Sequence, residues 1–240
     1  MQTIEIPEYA EAVRKNFERA PEEVLHVINE KLKGLNCFFW GGAAREPVYH
    51  AMYNGKDWNT TDWDIIVDDS FQTKPLDLDE IFSDVDCTHN RYGTIKWKPR
   101  DGVEIDVSRF SNANMIRRGD TSERSLAVAL ASCDFNTGSI AYGLRDGKLY
   151  DDGAIDGLRR RVVDLHYADD EPHILMARLV LHTNDMGFDI GPSGLAFISH
   201  RYTKQTYVQL DKRIAAYLEG KDKLDRHQEV VDRLKEIGFR

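Results

Sequence analysis

Cys37-Phe38-Phe39-Trp40, then Gly41-Gly42-Ala43-Ala44-Arg45, then Asp62-Trp63-Asp64-Ile65-Ile66-Val67 is the segment that organises the rest of the chain. Four apolar residues predict a buried strand. Two glycines followed by a basic residue predict a tight turn with charge behind it. A second strand then opens on two aspartates one residue apart. Residues i and i+2 of a strand point to the same face, so Asp62 and Asp64 project side by side, about 6–7 Å apart along the backbone. Carboxylates so placed repel each other unless a cation sits between them. A glycine turn beside them can bring backbone N–H groups close to a phosphate. A metal next to a phosphate cradle is equipment for handling a nucleoside triphosphate.

Asp-x-Asp is uninformative alone. The chain has 41 acidic residues, and Asp77-Leu78-Asp79 and Asp84-Val85-Asp86 repeat the pattern. Both of these read as solvated loop or helix surface. What sets 62–64 apart is the order of strand, Gly-Gly, Arg45, short helix and strand.

The 240 residues suffice for a real core, as one domain or a domain with a helical appendage. A hydrophobic content of 41% and a charged content of 30% are ordinary for a soluble globular protein. No window approaches the roughly 18 apolar residues of a membrane span, and Met1 to Glu11 lacks a basic-apolar signal pattern. The expected compartment is the cytoplasm, with no membrane partner. Cys37, Cys87 and Cys133 form neither a disulfide framework nor a zinc motif and read as buried or half-buried thiols. The eight histidines are scattered, so a His-based metal site is not expected. A net charge of −9 confines any nucleic-acid contact to a local patch or an end. The candidates are Arg117-Arg118, Arg159-Arg160-Arg161 and His200 to Lys204, each of which also reads as a solvated helix face.

Residues 8–33 read as two helices divided by Pro21, with Val24, Leu25, Ile28 and Leu32 as an apolar face. Residues 44–54 read as a short helix with Pro47 near its start, and Asn54-Gly55 as a turn. Residues 92–98 and 103–109 form a predicted hairpin around Pro99-Arg100-Asp101-Gly102. Its second strand alternates, which puts Glu104, Asp106 and Ser108 on one face. A helix is expected over about 122–131, with Asp120 and Glu123 spaced as a capping box. Ser139 to Tyr150 reads as strand–turn–strand around Asp146-Gly147. From about Glu171 the chain reads as almost wholly helical, with one helix ending near Gly187 and others over about 202–219 and 222–238. The fold class is therefore α+β with a helical C-terminal part. The expected divisions are 1–35 (N-terminal helices), 36–165 (the catalytic head) and 166–240 (helical).

Nucleotidyl transfer needs a hydroxyl attacking an α-phosphate in line. Two Mg2+ ions roughly 3.5–4 Å apart can activate the hydroxyl and stabilise the departing pyrophosphate. Such a site takes about three carboxylates from adjacent strands. Asp62 and Asp64 supply two, and Asp106 or Glu104 the third, with the shorter Asp106 the first choice. Gly41 and Gly42 would admit phosphates to the backbone, with Arg45 adding charge. Arg45 could instead pair with Glu46 or another acid, and Glu104 with Arg109.

These pieces resemble the head and neck of class II tRNA CCA-adding enzymes and bacterial poly(A) polymerases, members of the DNA polymerase β-like nucleotidyltransferase superfamily. Gly41-Gly42-Ala43-Ala44-Arg45-Glu46 is similar to the family's Gly-Gly-x-x-Arg-Asp. Asp62-Trp63-Asp64 matches its metal-binding Asp-x-Asp, and Glu104 to Arg109 the strand that follows. Ser132-Cys133-Asp134-Phe135 stands where the family has Arg-Arg-Asp-Phe. Gly147-Lys148-Leu149-Tyr150-Asp151, Gly157-Leu158 and Val162-Val163-Asp164 continue in order, and Glu171 to Ile190 resembles the neck helix. The resemblance, over about 36–190, implies a polymerase β-like mixed sheet with flanking helices. It also implies two Mg2+ ions, an NTP substrate with ATP foremost, and an RNA 3′ end as acceptor. It assigns the metal to Asp62, Asp64 and Asp106, and nucleotide contacts to Gly41, Gly42, Arg45, Asp134 and Arg178. Two departures matter. Only Asp134 of Arg-Arg-Asp is kept. The base-reading Glu-Asp-x-x-Arg of the neck is Glu171-Pro172-His173-Ile174-Leu175 here, so strict C-then-A selection is not expected. Nor is full CCA addition, because only about 50 residues follow the neck. A small-molecule or protein acceptor, and a non-catalytic NTP-binding relative, are the alternatives.

Overall fold

The computed structural model describes residues 2–4, 7–53, 60–90, 92–168 and 171–238, and the expected Asn54-Gly55 turn lies outside them. In chain order the elements are β1 (Gln2–Ile4), α1 (Pro7–Glu18), α2 (Glu22–His26), β2 (Cys37–Trp40), α3 (Gly41–Met52), β3 (Asp62–Val67), α4 (Leu78–Ile81), β4 (Thr88–His89), β5 (Ile95–Arg100), β6 (Val103–Arg109), α5 (Asn114–Arg117), α6 (Leu126–Ala131), β7 (Ile140–Gly143) and β8 (Leu149–Asp151). There follow α7 (Ala154–Arg160), β9 (Val162–Val163), α8 (Pro172–Met186), β10 (Asp189–Ile190), α9 (Pro192–Arg201), α10 (Tyr207–Glu219) and α11 (His227–Gly238). Two units divide the chain: Met1–Cys133 with Thr137–Ile155, and Asp134–Asn136 with Asp156–Arg240.

The first unit is built on an eight-stranded mixed sheet in the order β1-β8-β7-β2-β3-β6-β5-β4. The central strands β2 and β3 are antiparallel, with Phe39 opposite Ile65, and β3 runs parallel to β6. Both faces of β2 are covered, so the strand reads as an unbroken apolar run. Phe39 packs edge-on to Phe17 of α1 and against Trp63, at centroid distances of 5.4 and 5.3 Å. Phe38, on the opposite face, joins Ile66, Phe110, Leu126, Ala129 and Leu130 in a second buried cluster. At roughly 25 cal/mol per Å2 of apolar surface, each of these rings contributes a few kcal/mol. The centre of the sheet is thereby a stiff platform for whatever its polar ends carry.

Several local expectations are corrected. The helix after Pro21 widens into a π-turn over Val27–Lys31, where the Leu32 N–H donates to the Val27 carbonyl at 2.9 Å. Residues five apart then share a face, so Val24, Val27 and Leu32 are buried while Leu25 and Ile28 are only half-buried. α3 starts at Gly41 rather than 44, which leaves Pro47 in its interior and deletes one backbone bond there. The expected helix over 122–131 starts only at Leu126, because Ser125, not Asp120, is the cap: its hydroxyl accepts from Val128 N–H at 3.3 Å. The hairpin of β5 and β6 forms, but β5 covers Ile95–Arg100 rather than 92–98, so Pro99 and Arg100 lie in the strand and only Asp101-Gly102 make the turn, because Arg100 still pairs with Val103; the pair β7–β8 forms as expected.

In the second unit β9 and β10 pair in parallel. α8 buries Leu175, Met176, Leu179 and Val180 and packs on α10 and α11. It stops at Gly187, whose φ of +65° is the left-handed conformation that closes a helix. Among the described residues no helix is long and apolar enough to cross a membrane.

Candidate active site

Strand pairing assembles the acids. Because β3 and β6 run parallel, Asp62 lies beside Glu104 and Asp64 beside Asp106. With a side-chain period of two, all four carboxylates rise from one face of the sheet. This is the face of the Phe38–Ile66 cluster, at the end of the strands where the apolar residues give way. All four acids expected from the sequence are thus brought together.

The glycine turn arrives by the same register. Since Phe39 pairs with Ile65, the next residue, Trp40, runs alongside Asp64 and the chain turns directly over that carboxylate. Gly41 has φ +52°, which L side chains rarely adopt. A Cβ on Gly41 or Gly42 would come 3.3 or 3.4 Å from Asp64 Oδ2. The Gly42 N–H donates to the same oxygen at 3.3 Å. The first turn of α3 is thus packed on Asp64, with the Gly42 N–H already turned toward that carboxylate. Arg45, one turn on, pairs with Glu46, its Nε donating at 2.9 Å, as the alternative reading allowed.

Electrostatics mark the cluster as strained. Burial and the neighbouring Asp106 and Glu104 charges push the Asp62 carboxyl up to about 6. Asp64 is held well above the usual carboxylate range by burial and by the Asp62 and Asp106 charges, against the pull of Arg45 and of the Gly42 N–H. Asp106 is raised by burial despite a lysine partner, and its Oδ1 is buried with no hydrogen-bond donor. Glu104 behaves differently. Burial would raise it, but hydrogen bonds from Lys98 and Lys96 hold it below its ordinary value. Its alternative partner, Arg109, is excluded by the strand period, which sends that side chain to the other face. Arg109 instead donates to Asn112 Oδ1 at 2.9 Å and to the Leu76 carbonyl.

The sequence reading missed two residues of this face. Lys96 Nζ lies 2.5 Å from Asp106 Oδ2 and 3.0 Å from Glu104 Oε1, and Lys98 Nζ lies 2.5 Å from Glu104 Oε2. The alternation Ile95-Lys96-Trp97-Lys98 was a signal that the two lysines share a face. Which face depends on the hairpin register, which shifts between Trp97 and Arg100. Among the described residues no three carboxylates, imidazoles or thiols converge on a single metal position.

Asp134 and Arg178 meet in the second unit. They form an ion pair, the Arg178 guanidinium lies 5.7 Å from the Phe135 ring centroid, and His182 stacks on that ring at 5.7 Å and 17°. The three cysteines are thiols, Cys37 buried and the other two half-buried.

No protein-family model matches the chain, and no curated protein matches it. Solved structures do. A CCA-adding enzyme in complex with CTP superposes with a TM-score of 0.62 at 17% identity, over 94% of this chain and 54% of that one. A tRNA-processing enzyme in an apo form gives 0.55 at 17%, over 91% and 57%. The Thermotoga maritima CCA-adding enzyme complexed with tRNA-CCA gives 0.55 at 17%, over 95% and 56%. The chain spans about half the length of the structures it matches. At this identity the likeness is one of fold, and the mixed sheet with its helical C-terminal part has the fold of those CCA-adding enzymes.

Proposed function

We propose that this chain is a Mg2+-dependent nucleotidyltransferase that moves a nucleoside monophosphate from an NTP, ATP foremost, to a hydroxyl group at an RNA 3′ end. The observation that carries the reading is the square of Asp62, Asp64, Asp106 and Glu104 on one sheet face, with the Gly41-Gly42 turn folded onto it. The fold likeness to enzymes solved with CTP, with ATP and with tRNA supports the substrate classes.

The donor set fits a hard divalent cation, since all its donors are carboxylate oxygens. Asp62 and Asp64 repel each other, and Asp106 Oδ1 lacks a donor. Asp62 and Asp64 would hold the ion, with Asp106 beside them as the third carboxylate of the face. When bound, it supplies positive charge for the phosphate oxygens and lowers the pKa of the attacking hydroxyl. The chain's own groups position the triphosphate. The first-turn N–H groups of α3 and the Arg45 guanidinium are suited to its oxygens. Asp134 and Arg178 are the proposed nucleotide contacts of the second unit.

A second reading, transfer to a small-molecule or protein hydroxyl, is favoured by the net charge of −9 and by Glu171-Pro172-His173-Ile174-Leu175 in place of a base-reading motif. The test is label transfer. The protein is incubated with Mg2+, total RNA and each α-labelled NTP in turn, beside the Asp62→Asn/Asp64→Asn double variant. Label on RNA with the wild type alone supports the reading and names the base. Pyrophosphate released only when metabolites or proteins are added moves the answer to the second reading. NTP binding without release in any mixture refutes both and leaves a non-catalytic relative.

A further inference from the structure

The acid face carries its own cation. Lys96 of β5 is the direct neighbour of Asp106 in the sheet, and Asp106 of Asp64, so the three form one row across three strands. The Lys96 ammonium bridges Asp106 and Glu104, while Lys98 takes the remaining oxygen of Glu104. The chain has made this arrangement by a local irregularity. Arg100 pairs with Val103, which in a regular hairpin would set Trp97 beside Asp106 and turn both lysines to the opposite face. One extra residue between Trp97 and Arg100, in a stretch holding Pro99, shifts the register so that Lys96 meets Asp106. Pro99 has no N–H to give to a ladder, which suits a bulge. Two lysines lower the charge of four carboxylates from −4 to −2. The open part is the Asp62–Asp64 pair.

We infer that Lys96 is a resident positive charge of the site that stands in for a second divalent ion, leaving a single metal position at Asp62 and Asp64. The inference rests on the nucleotidyltransferase reading of those two aspartates. Lys96 acts here as a positioning residue: it fixes the Asp106 carboxylate and sets how many ions the face accepts. An ammonium offers one charge on a fixed tether where a metal offers two and exchanges freely. The site would therefore be a one-ion site whose third carboxylate is already neutralised.

The test is an ion count rather than turnover. Mn2+ binding is followed by electron paramagnetic resonance of free Mn2+ and by calorimetry, on wild type, Lys96→Gln, Lys96→Arg and the Asp62→Asn/Asp64→Asn double variant. Gln keeps a donor toward Asp106 while removing the charge, and Arg keeps the charge. The wild type and Lys96→Arg are expected to bind one ion, lost in the double variant. Lys96→Gln is expected to bind two, or one with affinity higher on the order of tenfold. Two aspartate-dependent ions in the wild type overturn the inference, and need no folded variant to do so. One ion of unchanged affinity in a folded Lys96→Gln protein also overturns it. In both cases the nucleotidyltransferase reading stands. Absence of any ion that depends on Asp62 and Asp64, in every form, overturns that reading and the inference with it.

Discussion

Replacing Asp62 by Asn should stabilise the sheet-bearing unit in chelator and abolish its response to Mg2+. The Asp62 carboxyl titrates at about 6 against an ordinary value of 3.8, through burial and the charges of Asp106 and Glu104. The folded state therefore holds this proton more tightly than the unfolded chain. The contribution of this group to stability is fully present below pH 3.8, falls as pH rises from 3.8 to 6, and is lost above 6. Undiscounted, the difference corresponds to about 3 kcal/mol. Asp62 is exposed, however, so solvent screening reduces the cost to about 1 kcal/mol. Asn removes that cost. At pH 7.5 in EDTA the variant should melt about 2–4 °C above the wild type, and the gap should narrow as pH falls below 5. Mg2+ at about ten times its Kd adds roughly 1.4 kcal/mol to the wild type only, which reverses the order. Tryptophan fluorescence is the right probe, since the described tryptophans Trp40, Trp63 and Trp97 all lie in the first unit. A variant that melts no higher than the wild type at pH 7.5 in EDTA, or equal stabilisation of both by Mg2+, would falsify the argument that these carboxylates are packed against their own repulsion.

Asp64→Asn should leave circular dichroism unchanged and lower nucleotide transfer on the order of 1000-fold or more, since a metal ligand supplies several kcal/mol to the transition state; single-turnover kinetics with labelled ATP decide it. Gly41→Ala forces a side chain into φ +52° with its Cβ 3.3 Å from Asp64 Oδ2, so denaturant unfolding should show a loss of about 1–2 kcal/mol together with weaker triphosphate binding by calorimetry. A loss confined to stability would separate the turn from the nucleotide. Phe39→Ala empties a fully buried position between Phe17 and Trp63 and should cost about 3–5 kcal/mol in urea unfolding.

Legibility followed the range of the interaction. Residues 37–45 and 62–67 fixed two strands, a turn and a pair of acids because each signal is local: an apolar run, two glycines, an i, i+2 spacing. The closing of the turn over Asp64 is nearly local too, since antiparallel pairing of Phe39 with Ile65 sets Trp40 alongside Asp64 on that side of the strand and brings the glycines over its carboxylate. Helix boundaries were less legible. Asp120 and Glu123 offered a capping box, but Ser125 stands immediately before Leu126, the first residue of the helix to enter the Phe38 cluster. Burial of Leu126, Ala129 and Leu130 decided where the helix begins, and the nearer cap was used. The π-turn at Val27–Lys31 has no sequence signal of its own; it lets Val27 and Leu32 reach one face.

The balance of charge on the acid face shows where pattern reading stops. Alternation puts Glu104 and Asp106 on one side of β6, and it puts Lys96 and Lys98 on one side of β5, but it leaves open whether those sides coincide. A two-residue turn with regular pairing separates them; a bulge joins them. That choice is energetic and non-local. Four carboxylates on one face disfavour the folded state, and two ammonium groups slipped in by one residue relieve about half of that charge for the loss of one ladder position at the sheet's edge-ward hairpin. Glu104, which accepts from both lysines, is held down, while Asp62 and Asp64, which have no lysine hydrogen bond, stay raised by burial and mutual repulsion, and Asp106 is raised by burial in spite of Lys96. The bulge therefore divides one acidic surface into Glu104 and Asp106, bridged by ammonium groups, and the Asp62–Asp64 pair, which has none.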